Sequence, residues 1–223
     1  MQGTRVEKFE ARMPIRRTDV KHYCAAIKEL GDPDNDGITI ENLMEHMSSK
    51  FGPWKEANTP DSLFMQVLTQ YQPLRVEGKR SLISKKALML WGIILCSGDN
   101  NTKIQSFYGV LQDKDQKSIA ALDNDFPHNF HLMILFAITL VNIYEPRFSR
   151  ALPEYSDAKV KLLEEYKEHL KEDLFLEPVF GPESTLDRPV WEKNTLMQAS
   201  WILDSNKVRK RVFDYIEMKE KEK

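Results

Sequence analysis

Apolar residues recur at steps of three and four along most of this 223-residue chain, and this spacing constrains the fold more than any other feature. Because an α-helix has 3.6 residues per turn, such a series forms one apolar side of a helix. The first clear series ends at Gly31 and consists of Val20, Tyr23, Cys24, Ile27 and Leu30. Comparable series occupy about 40–51, 63–71, 87–95, 104–111, 130–144, 160–170 and 201–216. The spacing therefore predicts an all-α protein.

Polar residues that can cap a helix precede several of these series. We expect helices to begin after Thr18, after Asp61 or Ser62, after Ser84 and after Thr102, because short polar side chains accept hydrogen bonds from the first free backbone N–H groups.

An acidic turn separates the first two predicted helices. Residues 32–37 read Asp-Pro-Asp-Asn-Asp-Gly, and a second apolar series begins at Ile40. Alternating carboxylates let one tight turn direct several hard oxygens at a hard cation, and the glycine allows the chain to bend sharply. The pattern is therefore typical of a calcium-binding loop between two helices.

This turn resembles the first half of an EF-hand calcium loop. The resemblance covers residues 18–51 closely, and two further helix-loop-helix units at comparable spacing extend it to about 145. It implies paired EF-hand-like units, to which this chain adds a helical C-terminal extension. It also implies calcium as the bound ion and, as its ligands, Asp32, Asp34, Asp36, the backbone carbonyl of Ile38, and Glu41.

The second half of the loop departs from the family pattern. Counting from Asp32 places Leu43 at the twelfth position, where the family has a bidentate carboxylate. Aligning Ile38 with the apolar eighth position places Asn42 there instead, and beginning at Asp34 reaches Glu45 but loses the glycine register. Two interpretations stay open: a loop that binds calcium weakly, and a former calcium loop whose aspartates now only turn and cap the chain.

The later loops carry weaker signals. The stretch 74–83 lacks alternating carboxylates, although Ile83 is a plausible residue for the small β-bridge that the family pattern has at this position. A second, weaker metal candidate consists of Asp113, Asp115 and Asp123, where Lys117 replaces a ligand with a cation.

Partner binding is the function that the resemblance implies, since EF-hand sensors hold an amphipathic target helix in an apolar, often Met-rich groove. We expect contributions from Met44 and Met47, and from Trp201, Val208 and Val212 near the C-terminus. The C-terminal helix combines apolar and basic residues, so it could alternatively occupy such a groove within the same chain.

Composition limits the class of partner. Lys and Arg number 32 against 34 Asp and Glu, a formal net charge of −2. Because nucleic-acid-binding domains usually carry a strongly basic field, we expect no nucleic-acid partner. The apolar stretch 130–144 is shorter than the roughly 20 residues that span a bilayer, so we expect a buried helix and no transmembrane segment.

Two widely spaced cysteines, Cys24 and Cys96, favour a reducing compartment and buried free thiols. We expect a cytoplasmic protein, with a mitochondrial or a cytoskeletal assembly as the alternative, because the basic N-terminus faintly resembles a transit peptide.

The composition shifts at 146–153, and we divide the chain into an N-terminal arm (1–17), an EF-hand-like helical domain (18–150) and a charged helical extension (151–223). Pro178 to Pro189 reads as an irregular segment that lies over a surface, followed by one helix from Asn194 onward. The extension should carry few internal contacts in this segment.

No glycine-rich phosphate loop, serine-hydrolase elbow or HExxH motif occurs, so we expect a protein that is not an enzyme. The first hypothesis is an EF-hand-like regulatory or adaptor protein that binds a partner protein. The alternative is a structural subunit of a larger intracellular assembly that does not bind calcium.

Overall fold

Helices make up most of the protein, and two small antiparallel sheets connect them. The computed structural model describes residue 6 and residues 8–31, 35–111, 117–121, 125–144 and 157–223. The prediction of a mainly helical fold is confirmed, whereas the two sheets were not predicted.

After a short 3₁₀ helix, Pro14–Arg17, the described residues up to Leu95 include five α-helices and three strands. The helices are α1 (Val20–Lys28), α2 (Ile40–Lys50), α3 (Gly52–Ala57), α4 (Leu63–Gln70) and α5 (Lys85–Leu95). The strands are β1 (Gly37–Ile38), β2 (Arg75–Val76) and β3 (Lys79–Ser84), which form one sheet in the order β1-β3-β2.

The described part of the second half begins with α6 (Asn100–Leu111), β4 (Ser118–Ala120) and α7 (Asp125–Tyr144). A longer helical run follows: α8 (Asp157–Lys171), a π-helical turn (Glu172–Leu176) and α9 (Glu177–Phe180). The chain continues through β5 (Thr185–Asp187), α10 (Arg188–Gln198), a 3₁₀ turn (Ser200–Leu203) and α11 (Ser205–Glu222). Strands β4 and β5 form the second sheet.

Side-chain caps define several helix starts. Ser62 accepts a hydrogen bond from Met65 N, and Ser84 accepts one from Ala87 N, so these two predicted caps are confirmed. The cap of α1 is Asp19 rather than Thr18, and Asp99 rather than Thr102 accepts a bond at the start of α6. In both corrections a nearby carboxylate, one position after Thr18 and three positions before Thr102, takes the capping role.

Thr18 has a different role. Its hydroxyl donates to Pro14 O at 2.9 Å and accepts a hydrogen bond from Trp54 Nε1 at 3.3 Å. It therefore satisfies a buried indole and ties the N-terminal 3₁₀ helix to α3.

Aromatic side chains form the centre of the core. One row of contacting rings runs from Tyr23 through Trp54, Phe64 and Trp91 of the first half to Phe136 of α7. The predictions that Trp91 and Phe136 are core residues are confirmed, because both are buried. A second group in the same continuous core contains Phe107, Phe126, Phe130, Phe175, Trp191 and Trp201.

The C-terminal elements belong to this shared core. Helix α10 packs against α6, and α11 packs against α7 and α8. Near the N-terminus Phe9, Met13 and Ile15 are buried in the same core. The predicted domain boundary near 150 falls outside the described residues and stays a prediction.

The segment between Pro178 and Pro189 is more regular than predicted. Pro189 lies in the first turn of α10, where a missing backbone N–H costs no helical hydrogen bond. Pro178 lies within a continuous helical run, because the π-helical turn that ends at Leu176 leads directly into α9. The prediction of an irregular segment was wrong because Pro178 is helical, Pro189 begins α10 and residues 185–187 form β5. The prediction of one helix from Asn194 onward was also wrong, since the 3₁₀ turn separates α10 from α11.

Among the residues that the structure describes, no helix is both long enough and apolar enough to cross a membrane.

Candidate functional site

Two pairs of residues connect the first two helix-loop-helix units. Ile38 in β1 lies opposite Ile83 in β3, and Gly37 lies opposite Ser84 in the same antiparallel ladder. Both isoleucines are buried. Helices α1 and α2 flank one strand, and α4 and α5 flank the other, so the ladder joins two units side by side.

A second ladder repeats this arrangement in the other half of the chain. Ile119 in β4 lies opposite Leu186 in β5, again in antiparallel register. Backbone bonds extend the ladder at both ends, from Ala121 N to Ser184 O at 2.9 Å and from Arg188 N to Lys117 O at 3.1 Å. The described residues therefore contain four helix-loop-helix units joined in two pairs.

Sequence reasoning missed the fourth unit, which runs from α8 through β5 to α10. The available signal was the isolated apolar Leu186 between Gly181 and Pro189, with a long amphipathic series before it and Trp191 after it. Gly181 directly after α9 has a φ of +57°, which favours glycine over residues with a side chain.

The described part of the acidic turn is fastened to the second unit. Asp36 Oδ1 accepts a hydrogen bond from Lys86 N at 2.8 Å, and Asp36 O accepts one from Lys85 N at 2.8 Å. Asn35 Oδ1 accepts a bond from Gly37 N at 3.0 Å, which closes the turn. Asp36 thus satisfies backbone N–H groups in the first turn of α5, in addition to the cap from Ser84.

Gly37 allows the two loops to approach closely. A Cβ atom at this position would lie 2.8 Å from Leu82 Cδ1 and 3.2 Å from Leu82 Cβ. A larger residue would therefore push the acidic turn away from β3.

The ladder makes Ile38 the apolar bridging residue, and the fourth residue after it is Asn42. An amide supplies one neutral oxygen where a bidentate carboxylate would supply two charged ones. Glu41 lies in the exposed first turn of α2. The predicted ligands Asp32 and Asp34 lie outside the described residues, as do Asp113, Asp115 and Asp123 of the second candidate.

No group of three or more His, Cys, Asp or Glu side chains is placed to hold a metal ion within the ranges that the structure describes. Calcium binding at the first loop, with Asp32 and Asp34 as ligands, stays a prediction.

An open cavity of about 460 Å³ lies between the C-terminal end of α1 and one side of α2, and Gly31 forms part of its wall. Glu29 and Glu45 are among its lining residues. Lys50 forms an ion pair with Glu29, and the hydrogen bond from Lys50 lowers the pKa of that carboxyl. The Glu29 carboxylate at this cavity is therefore already paired with a cation.

Most of the residues predicted to bind a partner lie inside the protein in this conformation. Met44, Met47, Val208 and Val212 are buried, and Trp201 is half-buried with its ring against Phe130. These side chains form no exposed groove here. A role for them in partner binding stays a prediction and requires that α2 or α11 move.

Comparison of the chain with protein-family models, with curated protein sequences and with solved structures gave no match.

Proposed function

We propose that this protein is an EF-hand-like regulatory or adaptor protein that binds a helix of a partner protein. The observation that carries the proposal is the pair of antiparallel ladders, Ile38 with Ile83 and Ile119 with Leu186, each joining two helix-loop-helix units. Paired loops of this kind couple neighbouring units, so a change in one loop moves helices in both.

The helices attached to these ladders supply the apolar surface that partner recognition needs. Met44 and Met47 lie in α2, and Met89 and Met133 are buried in α5 and α7. Thioether side chains are flexible and polarizable, so they can adapt to different apolar partners when helices separate.

Calcium is the proposed ligand of the first loop alone. Asp32, Asp34 and Asp36 supply the carboxylates, with Ile38 O and Glu41 as further candidates. Because Asn42 occupies the position of the bidentate carboxylate, we expect affinity below the micromolar range of sensor proteins.

The second candidate function is a structural subunit of a larger intracellular assembly that does not bind calcium. The hydrogen bond between Asp36 Oδ1 and Lys86 N favours it, because this carboxylate already has a role in holding the two loops together. In that case the paired units serve as a scaffold.

Calorimetric titration of calcium in excess magnesium separates the two candidates. For a calcium-linked protein we expect saturable heat that Asp34→Ala abolishes and that Glu165→Ala, at an exposed carboxylate of α8, leaves unchanged. No heat at millimolar calcium would assign the protein to the scaffold class, and partners should then be sought by co-purification without calcium.

A further inference from the structure

Helix α11 covers the surface formed by α7 and α8. Its apolar residues Val208, Val212 and Ile216 are buried, whereas Lys210 and Arg211 on its outer side are exposed. Tyr215 also packs edge-on against Tyr166 of α8. The helix therefore lies as an amphipathic helix lies in an apolar groove.

A charged residue lies on the buried side of α11. Arg209 Nη1 donates to Glu10 Oε1 at 2.7 Å and to Ala137 O at 2.8 Å, and Nη2 donates to Ser205 Oγ at 3.4 Å. The side chains of Arg209 and Glu10 are only 6% and 4% exposed. Glu10 Oε2 has no hydrogen-bond partner among the described residues.

This ion pair determines which helix fits and in which register. Removing two charges from water is energetically costly, and well-packed apolar residues commonly occupy such a position at lower cost. An arginine is accepted here because Glu10 and Ala137 O receive its N–H groups. A helix without an arginine at this position would leave the Glu10 carboxylate buried and unpaired.

The edges of the interface are polar and easily exchanged with water. Tyr166 OH donates to Glu220 Oε1 at 2.6 Å, and Tyr215 OH donates to Asp173 Oδ2 at 2.5 Å. Both bonds are only partly buried. Water can replace them when α11 leaves, so they oppose its release weakly.

The connection to α10 allows α11 to move as one unit. Ala199 and Asp204 both have non-helical dihedral angles on either side of the 3₁₀ turn. Lys103 Nζ donates to Leu203 O at 2.8 Å and holds the turn itself in place. A rotation at Asp204 would therefore release α11 without disturbing α10.

We infer that the surface of α7 and α8 beneath α11, together with Glu10, is the partner-binding groove of this protein, and that α11 is its intramolecular occupant. The partner is an amphipathic helix with an arginine on its apolar side, which displaces α11 and pairs with Glu10. This inference rests on the proposed function for the existence of a partner helix, and it adds the groove, the competing helix and the chemistry of the partner.

A labelled peptide with the sequence of residues 204–222 serves as the probe, and its binding to the full chain is measured by fluorescence anisotropy. In the Arg209→Ala chain α11 loses its hydrogen bonds to Glu10 and Ala137 O, so it binds the groove more weakly. The Glu10 carboxylate remains in the groove and can pair with an added peptide. We expect this chain to bind the peptide at least about tenfold more tightly than the unchanged chain, because apparent affinity rises with the fraction of open groove. Lys210→Ala, at an exposed position one residue away, is the matched chain control and should match the unchanged chain.

The peptide itself supplies the second control. A peptide carrying Arg209→Ala should bind the Arg209→Ala chain at least about tenfold more weakly than the unchanged peptide, since it leaves Glu10 unpaired. No binding of the unchanged peptide to a folded Arg209→Ala chain would overturn the inference. Dimerisation of that chain through exchange of α11 would also overturn it, because the groove would then belong to a second copy.

Hydrogen exchange of the unchanged chain tests the inference even if Arg209→Ala does not fold. We expect the amides of α11 to exchange together, through an opening less costly than the one that exposes α5. Exchange of α11 only together with α5 contradicts it.

Both measurements are repeated with calcium and with chelator, so that failure of the groove and failure of the calcium proposal can be distinguished. Peptide binding in a protein that shows no calorimetric heat with calcium would exclude calcium binding and support the groove. Calorimetric heat with calcium but no peptide binding would exclude the groove and leave calcium binding supported.

Discussion

Gly92 of α5 lies directly against the ring of Tyr23 in α1, so that a Cβ atom at residue 92 would be 2.1 Å from Tyr23 Cε1 and 2.4 Å from Cδ1. The tyrosine ring cannot easily move aside, because its hydroxyl donates to Leu88 O at 2.9 Å in the same helix α5. The absence of a side chain at Gly92 thus sets the distance between α1 and α5.

Gly92→Ala should therefore destabilise the protein by at least about 2 kcal/mol, since overpacking a filled core forces side chains and backbone apart. The matched control is Gly109→Ala in α6, where the nearest atom to an added Cβ is the flexible Lys28 Nζ at 3.3 Å. That control should be neutral or stabilising by up to about 1 kcal/mol, because alanine favours the helix. Urea unfolding measures both, and equal stability of the two variants would contradict the packing.

Asp36 tests the coupling of the two loops without calcium. In the presence of chelator, Asp36→Ala should destabilise the protein by about 1 kcal/mol, because a backbone N–H at the start of α5 loses its acceptor. Asp36→Asn keeps a side-chain oxygen and should retain most of this stability. If Asn and Ala destabilise equally, the hydrogen bond to Lys86 N does not stabilise the protein.

Trp191 tests whether the fourth unit is part of the core. Its side chain is fully buried between Phe107 and Tyr108, so Trp191→Ala should cost about 3–5 kcal/mol of unfolding free energy. Val190→Ala changes the neighbouring exposed side chain and should stay within about 0.5 kcal/mol of the unchanged protein. A small effect of Trp191→Ala in thermal unfolding would place the fourth unit outside the cooperative core.

The two cysteines should be unreactive in the folded protein. Burial raises the pKa of Cys24 to about 12 and raises the pKa of Cys96 well above its ordinary value, so the reactive thiolate is scarce at neutral pH. Maleimide labelling followed by mass spectrometry should show no added label in the native protein and two labels in denaturant. Rapid labelling of the native protein would show that α1 and α5 separate readily.

His131 should make stability depend on pH. Burial lowers the pKa of His131 although Glu164 Oε1 lies 3.2 Å from its Nε2 atom. The unfolded histidine has a pKa of about 6.5, so the folded protein binds this proton less readily than the unfolded chain does. The contribution is complete above about pH 6.5 and is lost as the pH falls through the folded pKa.

Urea unfolding between pH 7.5 and 5 checks this dependence. His131→Gln should reduce the fall in stability toward acid pH, whereas His22→Gln, at an exposed position, should preserve it. An unchanged pH profile in His131→Gln would show that other groups cause the acid sensitivity.

The sequence alone was sufficient for most of the longer helices, because helical periodicity is a local property of a few turns. It identified the apolar sides of α1, α2, α4 and α5, the caps Ser62 and Ser84, and the buried aromatic residues Trp91 and Phe136. It also identified Ile38 and Ile83 as plausible bridging residues of the first two loops. The caps Asp19 and Asp99 were missed because a hydroxyl residue and a carboxylate lie close together at both helix starts. The local sequence does not show which of the two side chains accepts the hydrogen bond.

Only the tertiary structure decided which of these elements meet. The contact of Ile119 with Leu186 joins strands of three residues each, too short to leave a periodic signal. Arg209 reads as one of several basic residues on a solvated helix, yet folding buries it against Glu10, 199 positions away. Such pairings depend on how distant apolar surfaces fit together, and the spacing of residues within one segment carries no information about that fit.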